Sequence, residues 1–278
     1  LGTYATIQLR GRQKQVWSFA QSLALEEFDA ERKQQQGPPL IVAAVWHVRE
    51  SGLQTPLLRW RMVANEMKIA FESHTELASL AGTRTLPAPA FVAADYVLRI
   101  PTDINPGNYR LELQPLSNTG RVIGHSFRTS IQITPRIRNF DLPPMQNIVG
   151  AIFADQIKLA GYDLLEFSKR KLILTLHWRA LGQIPVDYKY FVHVWSENEI
   201  VAQADAMPDS YSYPTSWWAP EEVFSDTVSI DLTASPYAMV TPKVGLYVPN
   251  GERIPIVDSE GRTLPSATLD LRDLHLSR

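Results

Sequence analysis

Cysteine is absent from the 278 residues of this chain, which excludes disulfides, thiolate metal sites and cysteine nucleophiles. No block of five like charges occurs and the net charge is only −2. The clustered Lys and Arg of a nucleic-acid groove are therefore missing. No apolar run reaches the roughly 18 residues that a membrane-spanning helix needs. We therefore expect no nucleic-acid partner and no membrane span in this chain.

Motifs that carry catalysis are also missing. The sequence contains no nucleophile elbow, no P-loop and no dinucleotide-binding fingerprint. Carboxylate pairs for sugar hydrolysis depend on separation in space, so the sequence leaves them open. Without a convergent motif, we expect a protein that is not an enzyme and that uses no cofactor.

The residues that are present are typical of an all-β protein. Hydrophobic residues make up 45% of the chain, and 20 prolines separate many short runs of Val, Ile, Leu and Tyr. Asn250-Gly251 and Asn118-Thr-Gly120 each predict a hairpin turn, because a tight turn needs a positive φ. Residues 16–36 also fit a helix, but we predict strands there because a later segment repeats them. One short helix is predicted around Thr75–Leu80.

An internal repeat suggests two copies of one domain. Leu40–Trp46 matches Leu172–Trp178 at an offset of 132 residues, and Phe91 matches Phe224 at 133. An offset of this length indicates tandem domains, because solenoid repeats have periods of about 20–50 residues. We predict two tandem antiparallel β-sandwiches, immunoglobulin-like or jelly-roll-like, related by this repeat.

The predicted boundaries leave a short segment before the first domain. Residues 1–15 are predicted as an N-terminal strand and linker, 16–138 as the first β-sandwich and 145–278 as the second. Ala5, Ile7 and Leu9 alternate with polar residues, as in a strand with one apolar face. That strand has four open alternatives: it pairs with its own first domain, with a domain upstream or with a neighbouring molecule, or it is disordered. Because the chain begins with Leu1, we expect a processed or truncated product.

Aromatic residues and prolines concentrate in one stretch, Tyr211–Phe224, between two predicted strands. Long ordered connections of this kind are often functional. Four side chains in it are candidate ligand contacts, since flat aromatic faces stack on sugars: Tyr211, Tyr213, Trp217 and Trp218. The alternative is that these rings pack one end of the sandwich.

Motifs of the second copy resemble a β-sandwich domain from the C-terminal, extracytoplasmic end of bacterial membrane proteins. Those proteins include family 39-like glycosyltransferases of green non-sulfur bacteria. The segments that carry the resemblance are Phe153–Asp163, Leu174–Trp178, Asp187–Val194, Tyr213–Val223, Val244–Tyr247 and Gly251–Ile256. The resemblance implies a cell-surface location and makes Trp218 a structural anchor, whereas Trp217 is at a variable position. It implies no transferase activity, because the membrane-embedded catalytic part has no counterpart here.

Two further groups of residues are weaker candidates for a metal site. His177 and His193 are on adjacent predicted strands, where they would be cross-strand neighbours, but zinc requires three or four ligands. Four loop carboxylates could bind calcium, with ordinary turn chemistry as the alternative: Asp205, Asp209, Asp258 and Glu260. We expect no metal site.

These observations predict a non-catalytic, extracytoplasmic structural or interaction module of the cell surface. Assembly would use sheet edges or the N-terminal strand. The expected partners are other copies of this chain or another cell-surface protein. The alternative is a carbohydrate-binding accessory region of a membrane glycosyltransferase, with a glycan as the ligand.

Overall fold

Strands account for nearly all regular structure in the described part of the chain. A computed structural model describes residues 16–64, 67–77, 85–232 and 239–275. It divides into two compact units, the first running to Pro135 and the second starting at Arg136, with Pro101–Asp103 grouped with the second. The described residues contain no α-helix. Among them, no helix has the length and apolar character required to cross a membrane.

The first unit is formed by two sheets. Its described strands are β1 (Trp17–Ala20), β2 (Leu23–Ala30), β3 (Lys33–Gln35), β4 (Leu40–Val48), β5 (Leu57–Val63), β6 (Ile69–Glu76), β7 (Ala90–Leu98), β8 (Gly107–Leu116) and β9 (Phe127–Thr134). One sheet has the order β1-β2-β4-β7 and the other β3-β9-β8-β5-β6. All pairs are antiparallel apart from β3 and β9, which are parallel.

The second unit is also formed by two antiparallel sheets. Its described strands are β10 (Asn147–Phe153), β11 (Ile157–Phe167), β12 (Lys171–Ala180), β13 (Lys189–Ser196), β14 (Glu199–Ala206), β15 (Val223–Asp231), β16 (Met239–Tyr247), β17 (Ile256–Val257), β18 (Thr263–Leu264), β19 (Leu269–Asp270) and β20 (Leu274–His275). One sheet has the order β15-β12-β11-β10-β17-β18. The other has the order β14-β13-β16-β19, and β20 also pairs with β16.

Alternation of side chains along the strands builds each core. Along β4 every second residue from Leu40 to Val48 is buried, and the residues between them are partly or fully exposed. Trp46 is buried there, and its indole N–H donates to the Tyr96 hydroxyl at 2.8 Å. The Tyr96 ring contacts Trp60 of the other sheet, with ring centroids 5.1 Å apart. The two sheets therefore share one hydrophobic core, as a β-sandwich requires.

The second unit has a core of the same kind. Trp178 on β12 is buried and contacts Phe153 of its own sheet and Tyr190 of the facing sheet, at 5.6 and 6.2 Å between ring centroids. The prediction of an all-β chain with sandwich domains is thereby confirmed. Strands predicted between residues 16 and 36 are also confirmed, as β1, β2 and β3.

Strand order corresponds between the units, with β1-β2-β4-β7 matching β10-β11-β12-β15. In both of these sheets the pairing register shifts at the corresponding position. The unpaired extra residue is Glu26 in β2 and Ala160 in β11. Gly120 and Gly251 both close a turn with φ of +76° and +92°. Unrelated sandwiches can share an architecture, so the internal repeat itself stays a prediction.

The structure corrects two details of the sequence reading. Trp46 pairs with Val92 and Trp178 with Phe224, so the counterpart of Phe224 is Val92 rather than Phe91. The predicted helix at residues 75–80 is wrong at its start, because Thr75 is in β6, where it pairs with Leu58. The rest of that helix, and the predicted N-terminal strand and linker at residues 1–15, fall outside the described residues.

Truncating either core tryptophan should destabilise its own unit. We expect Trp46→Ala and Trp178→Ala each to lower the free energy of unfolding by about 3–5 kcal/mol, because each leaves a large cavity. Trp17→Ala serves as the control, since Trp17 is exposed. Urea denaturation followed by circular dichroism measures all three. Equal losses for Trp17→Ala and Trp46→Ala would contradict the assigned core positions.

Candidate functional site

The aromatic stretch forms the connection between β14 and β15, residues 207–222. It contains two short 3-10 helices, Pro208–Tyr211 and Thr215–Trp217. Proline at the start of the first helix is favourable, since its fixed φ suits a helical turn and its missing N–H would have no partner there. Three consecutive residues before the second helix, Asp209, Ser210 and Tyr211, have positive φ values of 51°, 51° and 73°. Such conformations are costly for residues other than glycine, so surrounding contacts must hold the connection in place.

A buried ion pair holds the later part of this connection, at Tyr213, Trp217 and Ala219. The Arg138 guanidinium bonds the Glu222 carboxylate, and their side chains are only 5% and 3% exposed. The same guanidinium donates to the Tyr213 hydroxyl at 2.8 Å and to the Trp217 carbonyl at 3.0 Å. Its other terminal nitrogen donates to the Thr102 carbonyl at 3.1 Å. Four partners on one cation tie separate parts of the connection together.

Glu222 completes this network from the other side. Its carboxylate accepts from the Tyr213 hydroxyl at 2.7 Å and from the Ala219 amide at 2.8 Å. Burial, followed by the bond to Glu222, raises the pKa of Tyr213 above its ordinary value, so its hydroxyl stays protonated and donates. A buried charge is tolerated where hydrogen-bond partners surround it, and here both carboxylate oxygens of Glu222 and both terminal nitrogens of Arg138 are bonded, although Arg138 Nε is buried without a partner.

Burial divides the four predicted ligand contacts into two pairs. Tyr213 is 7% exposed and Trp218 is 1% exposed, and both rings pack on Phe224 at 5.6 and 5.3 Å between centroids. Trp218 also donates its indole N–H to the Tyr213 carbonyl at 3.3 Å. This burial supports the packing alternative for these two residues, whose assignment as ligand contacts stays a prediction.

The other two rings reach the surface. Tyr211 is 55% exposed, and the ammonium of Lys189 is 5.3 Å from its ring centroid. Trp217 is half-buried, and the Arg136 guanidinium is 5.6 Å from its ring centroid. Tyr211 is therefore the ring of this stretch with the most accessible surface for a ligand.

Beneath this connection, an acidic side chain points into the sandwich. Asp226 of β15 pairs with the buried Leu176, and the Tyr190 hydroxyl donates to its carboxylate at 2.9 Å. The Asp209 amide donates to the same oxygen at 3.2 Å, which fixes the start of the connection. Burial raises the pKa of Asp226 above its ordinary value.

The two histidines are not neighbours, which corrects the prediction that they form a cross-strand pair. His177 is on β12, and its ring bonds Ser225 at 2.8 Å and Asp163 at 3.0 Å. The amide of Gln146 and the His177 ring together lower the pKa of Asp163. His193 is on β13, in the other sheet, where burial lowers its pKa. Strand adjacency was misread because β12 and β13 follow each other in sequence but belong to different sheets.

The loop carboxylates make local contacts. Asp258 accepts from the amides of Glu260 and Arg262 at 2.9 Å each, as expected of an aspartate in a turn. Asp209 bonds the Ser212 hydroxyl, three residues on. Among residues 16–64, 67–77, 85–232 and 239–275, no group of three or more His, Asp or Glu side chains is arranged to hold a metal ion.

Sequence reasoning missed Arg138, the residue on which this region depends. It was placed at the end of the first predicted domain, but its guanidinium contacts Tyr213, Trp217 and Glu222 in the second unit. An isolated arginine near a proline-rich linker carries no pattern that reveals a partner 84 residues away.

Comparison with known proteins adds no family to these observations. No family model matches the chain, and no curated protein matches it significantly.

Removing the carboxylate of the ion pair should destabilise the second unit strongly. Glu222→Gln leaves the Arg138 guanidinium buried beside a neutral amide, and we expect a loss of about 3–5 kcal/mol in the free energy of unfolding. Glu221→Gln is the matched control, because Glu221 is exposed and pairs with Arg179 at the surface. Its loss should stay below about 1 kcal/mol.

Chemical denaturation of the two variants at pH 7 measures the difference. Adding Arg138→Met to Glu222→Gln should recover part of the loss, because it removes the uncompensated charge. Similar stabilities of the Glu221→Gln and Glu222→Gln proteins would refute the role given to the ion pair.

Proposed function

We propose that this chain is a non-catalytic, extracytoplasmic interaction module that binds other protein chains through the open edge of β7. The observation that carries the proposal is the apolar character of that edge. The extracytoplasmic, cell-surface location rests on the resemblance described for the second copy. The buried Glu222 of the second unit supports a structural role, since its carboxylate is paired with the Arg138 guanidinium.

β7 is the last strand of its sheet within the part of the chain that the structure describes. A strand in that position presents a row of backbone N–H and C=O groups that another strand can pair with. Its solvent side carries Phe91, 64% exposed, and Val97, 52% exposed, with Ala93 and Asp95 between them. Ile41 of β4, which pairs with Val97, is half exposed and extends the apolar surface across the sheet.

The corresponding strand of the second unit is protected. β15 has polar residues at the solvent-facing positions Ser225, Thr227 and Ser229. It also carries the inward-pointing Asp226, where β7 has Ala94 opposite Ala44. Inward charges and polar side chains are devices that keep edge strands from pairing. Of these two corresponding edge strands, β15 is therefore protected against pairing and β7 is open, which supports pairing at β7.

The other long edge strands carry charge on their solvent side. On β6 the exposed residues include Glu72, His74 and Glu76. On β14 they include Glu199 and Asp205. Pairing through main-chain bonds, with specificity from alternate side chains, is the recognition mode that an edge such as β7 offers.

Binding of an extended peptide tests the proposal. The probe is a fluorescent ten-residue peptide of alternating Val and Thr with a terminal Lys, measured by anisotropy at nanomolar protein concentration. Val97→Lys places a charge on the edge and should weaken binding at least about tenfold. Ser229→Lys, at the corresponding position of β15, should leave binding unchanged. No binding to the unmodified protein, or equal binding to both variants, would contradict the proposal.

A second candidate function is carbohydrate binding, as an accessory region of a membrane glycosyltransferase. The observation that favours it is the exposure of Tyr211 on a backbone with three successive positive φ values. Strained, well-held segments occur at binding sites, where they present a side chain in a fixed position. Trp217 adds a second, half-buried ring in the same connection.

A glycan array separates this candidate from the first. If Tyr211 and Trp217 bind sugar, the double variant Tyr211→Ala/Trp217→Ala should lose at least about tenfold in affinity for any glycan bound, since stacked aromatic contacts dominate such sites. Phe91→Ala, on the first unit, is the control and should bind as before. Glycan binding that survives the double substitution would count against this candidate.

A further inference from the structure

We propose that the partner of β7 is β7 of a second copy, paired antiparallel across a two-fold axis at Ala94. This inference deepens the function proposed above and rests on it. It joins two four-stranded sheets into one continuous eight-stranded sheet. A two-fold contact of this kind closes on itself and gives a dimer rather than a polymer.

Symmetry limits how β7 can pair with itself. A two-fold axis perpendicular to the sheet keeps each side chain on its own face, so solvent-facing residues must meet solvent-facing residues. The axis must therefore pass through a residue position. The axis at Ala94 is the one that pairs all nine residues of the strand, from Ala90 to Leu98. At about 3.4 Å per residue, the paired length is roughly 30 Å.

Side chains favour that register over its neighbours. With the axis at Ala94, Phe91 is opposite Val97 of the second copy, and aromatic–β-branched pairs across strands are favourable. Asp95 is then opposite Ala93. An axis at Asp95 would place two carboxylates directly opposite each other, which is destabilising. An axis at Ala93 would place Phe91 opposite Asp95 and lose the apolar pair.

Residues on β4 extend the contact on both sides. Val97 pairs with Ile41, and Phe91 stacks on His47 with ring centroids 4.4 Å apart. In the dimer these side chains form one row across four neighbouring strands. The row runs from Ile41 to Val97 of one copy and then to Phe91 and His47 of the second copy. The two-fold axis generates this row twice. The two Asp95 side chains are diagonal neighbours, roughly 7–8 Å apart, and water screens them because both are exposed.

The absence of cysteine makes this register directly testable, because one introduced cysteine is the sole thiol in the chain. With the axis at Ala94, the two copies of residue 94 are opposite each other, with Cα atoms about 4.5–5.5 Å apart. That distance suits a disulfide, which spans about 4.4–6.8 Å. The two copies of residue 93 are diagonal, roughly 7–8 Å apart, and too distant.

The experiment combines cross-linking with the native mass of the purified protein. Under mild oxidation we expect Ala94→Cys to form a covalent dimer and Ala93→Cys to remain uncross-linked. By sedimentation velocity, the unmodified protein and Ser229→Lys should be dimeric at tens of micromolar. Val97→Lys should raise the dimer dissociation constant at least about tenfold, because each lysine faces Phe91 of the second copy. Thermal denaturation checks that every variant is folded.

Each other outcome overturns the inference in a distinct way. A monomer at hundreds of micromolar excludes self-pairing, and if it still binds the extended peptide, the proposed function stands with a different partner. A dimer that Val97→Lys does not weaken uses another surface. A dimer that cross-links through residue 93 but not 94 has a different register. If neither dimer nor peptide binding is found, the inference and the proposed function both fail.

Discussion

The constraint on which this structure depends is the two-residue period of a β-strand. Successive side chains point to opposite faces, so each sheet offers one face to the core and one to solvent. On β4 and β12 this period places Trp46 and Trp178 inside, with Tyr96 and Tyr190 among their neighbours. A shift of one residue would bring every polar side chain of a strand into the core, so the register is strongly specified.

The same constraint creates the problem of the edges. A sheet that does not close into a barrel ends in strands with unpaired backbone groups. β15 ends its sheet with hydroxyl side chains outside and with Asp226 inside, where the Tyr190 hydroxyl bonds it. Burial raises the pKa of Asp226, so keeping this side chain inside the sandwich lowers the stability of the fold at neutral pH. Its presence there is better explained as protection of the sheet edge. β7 has Ala94 at that position, and its outer side carries the exposed Phe91 and Val97 with Asp95 as the one charged residue between them, which is why we assign the interaction to it.

A second kind of constraint holds the long connection between β14 and β15. The backbone of Asp209, Ser210 and Tyr211 is unfavourable by itself, and the segment contains no regular pairing to hold it. The buried pair of Arg138 and Glu222 acts instead of strand pairing, because it fixes Tyr213 and the backbone at Trp217 and Ala219. Buried ion pairs often add little net stability, and the contribution of this pair is the set of contacts that hold one arrangement of the connection. Here that arrangement leaves Tyr211 exposed.

The sequence by itself determined the all-β class, the strands between residues 16 and 36 and the turns at Gly120 and Gly251, because alternation and positive φ are local properties. It also aligned Trp46 with Trp178, two residues that the structure shows to be buried. Only the tertiary structure decided which strands share a sheet, and this separated His177 from His193 although their strands are consecutive. It also decided that Tyr213 and Trp218 are buried and Tyr211 is not, since burial depends on contacts between residues that are distant in sequence, such as Tyr213 with Arg138. The difference between Ala94 and Asp226 likewise matters only because both residues are on edge strands. Which strands are at an edge depends on pairing between distant segments, so no short stretch of sequence shows it.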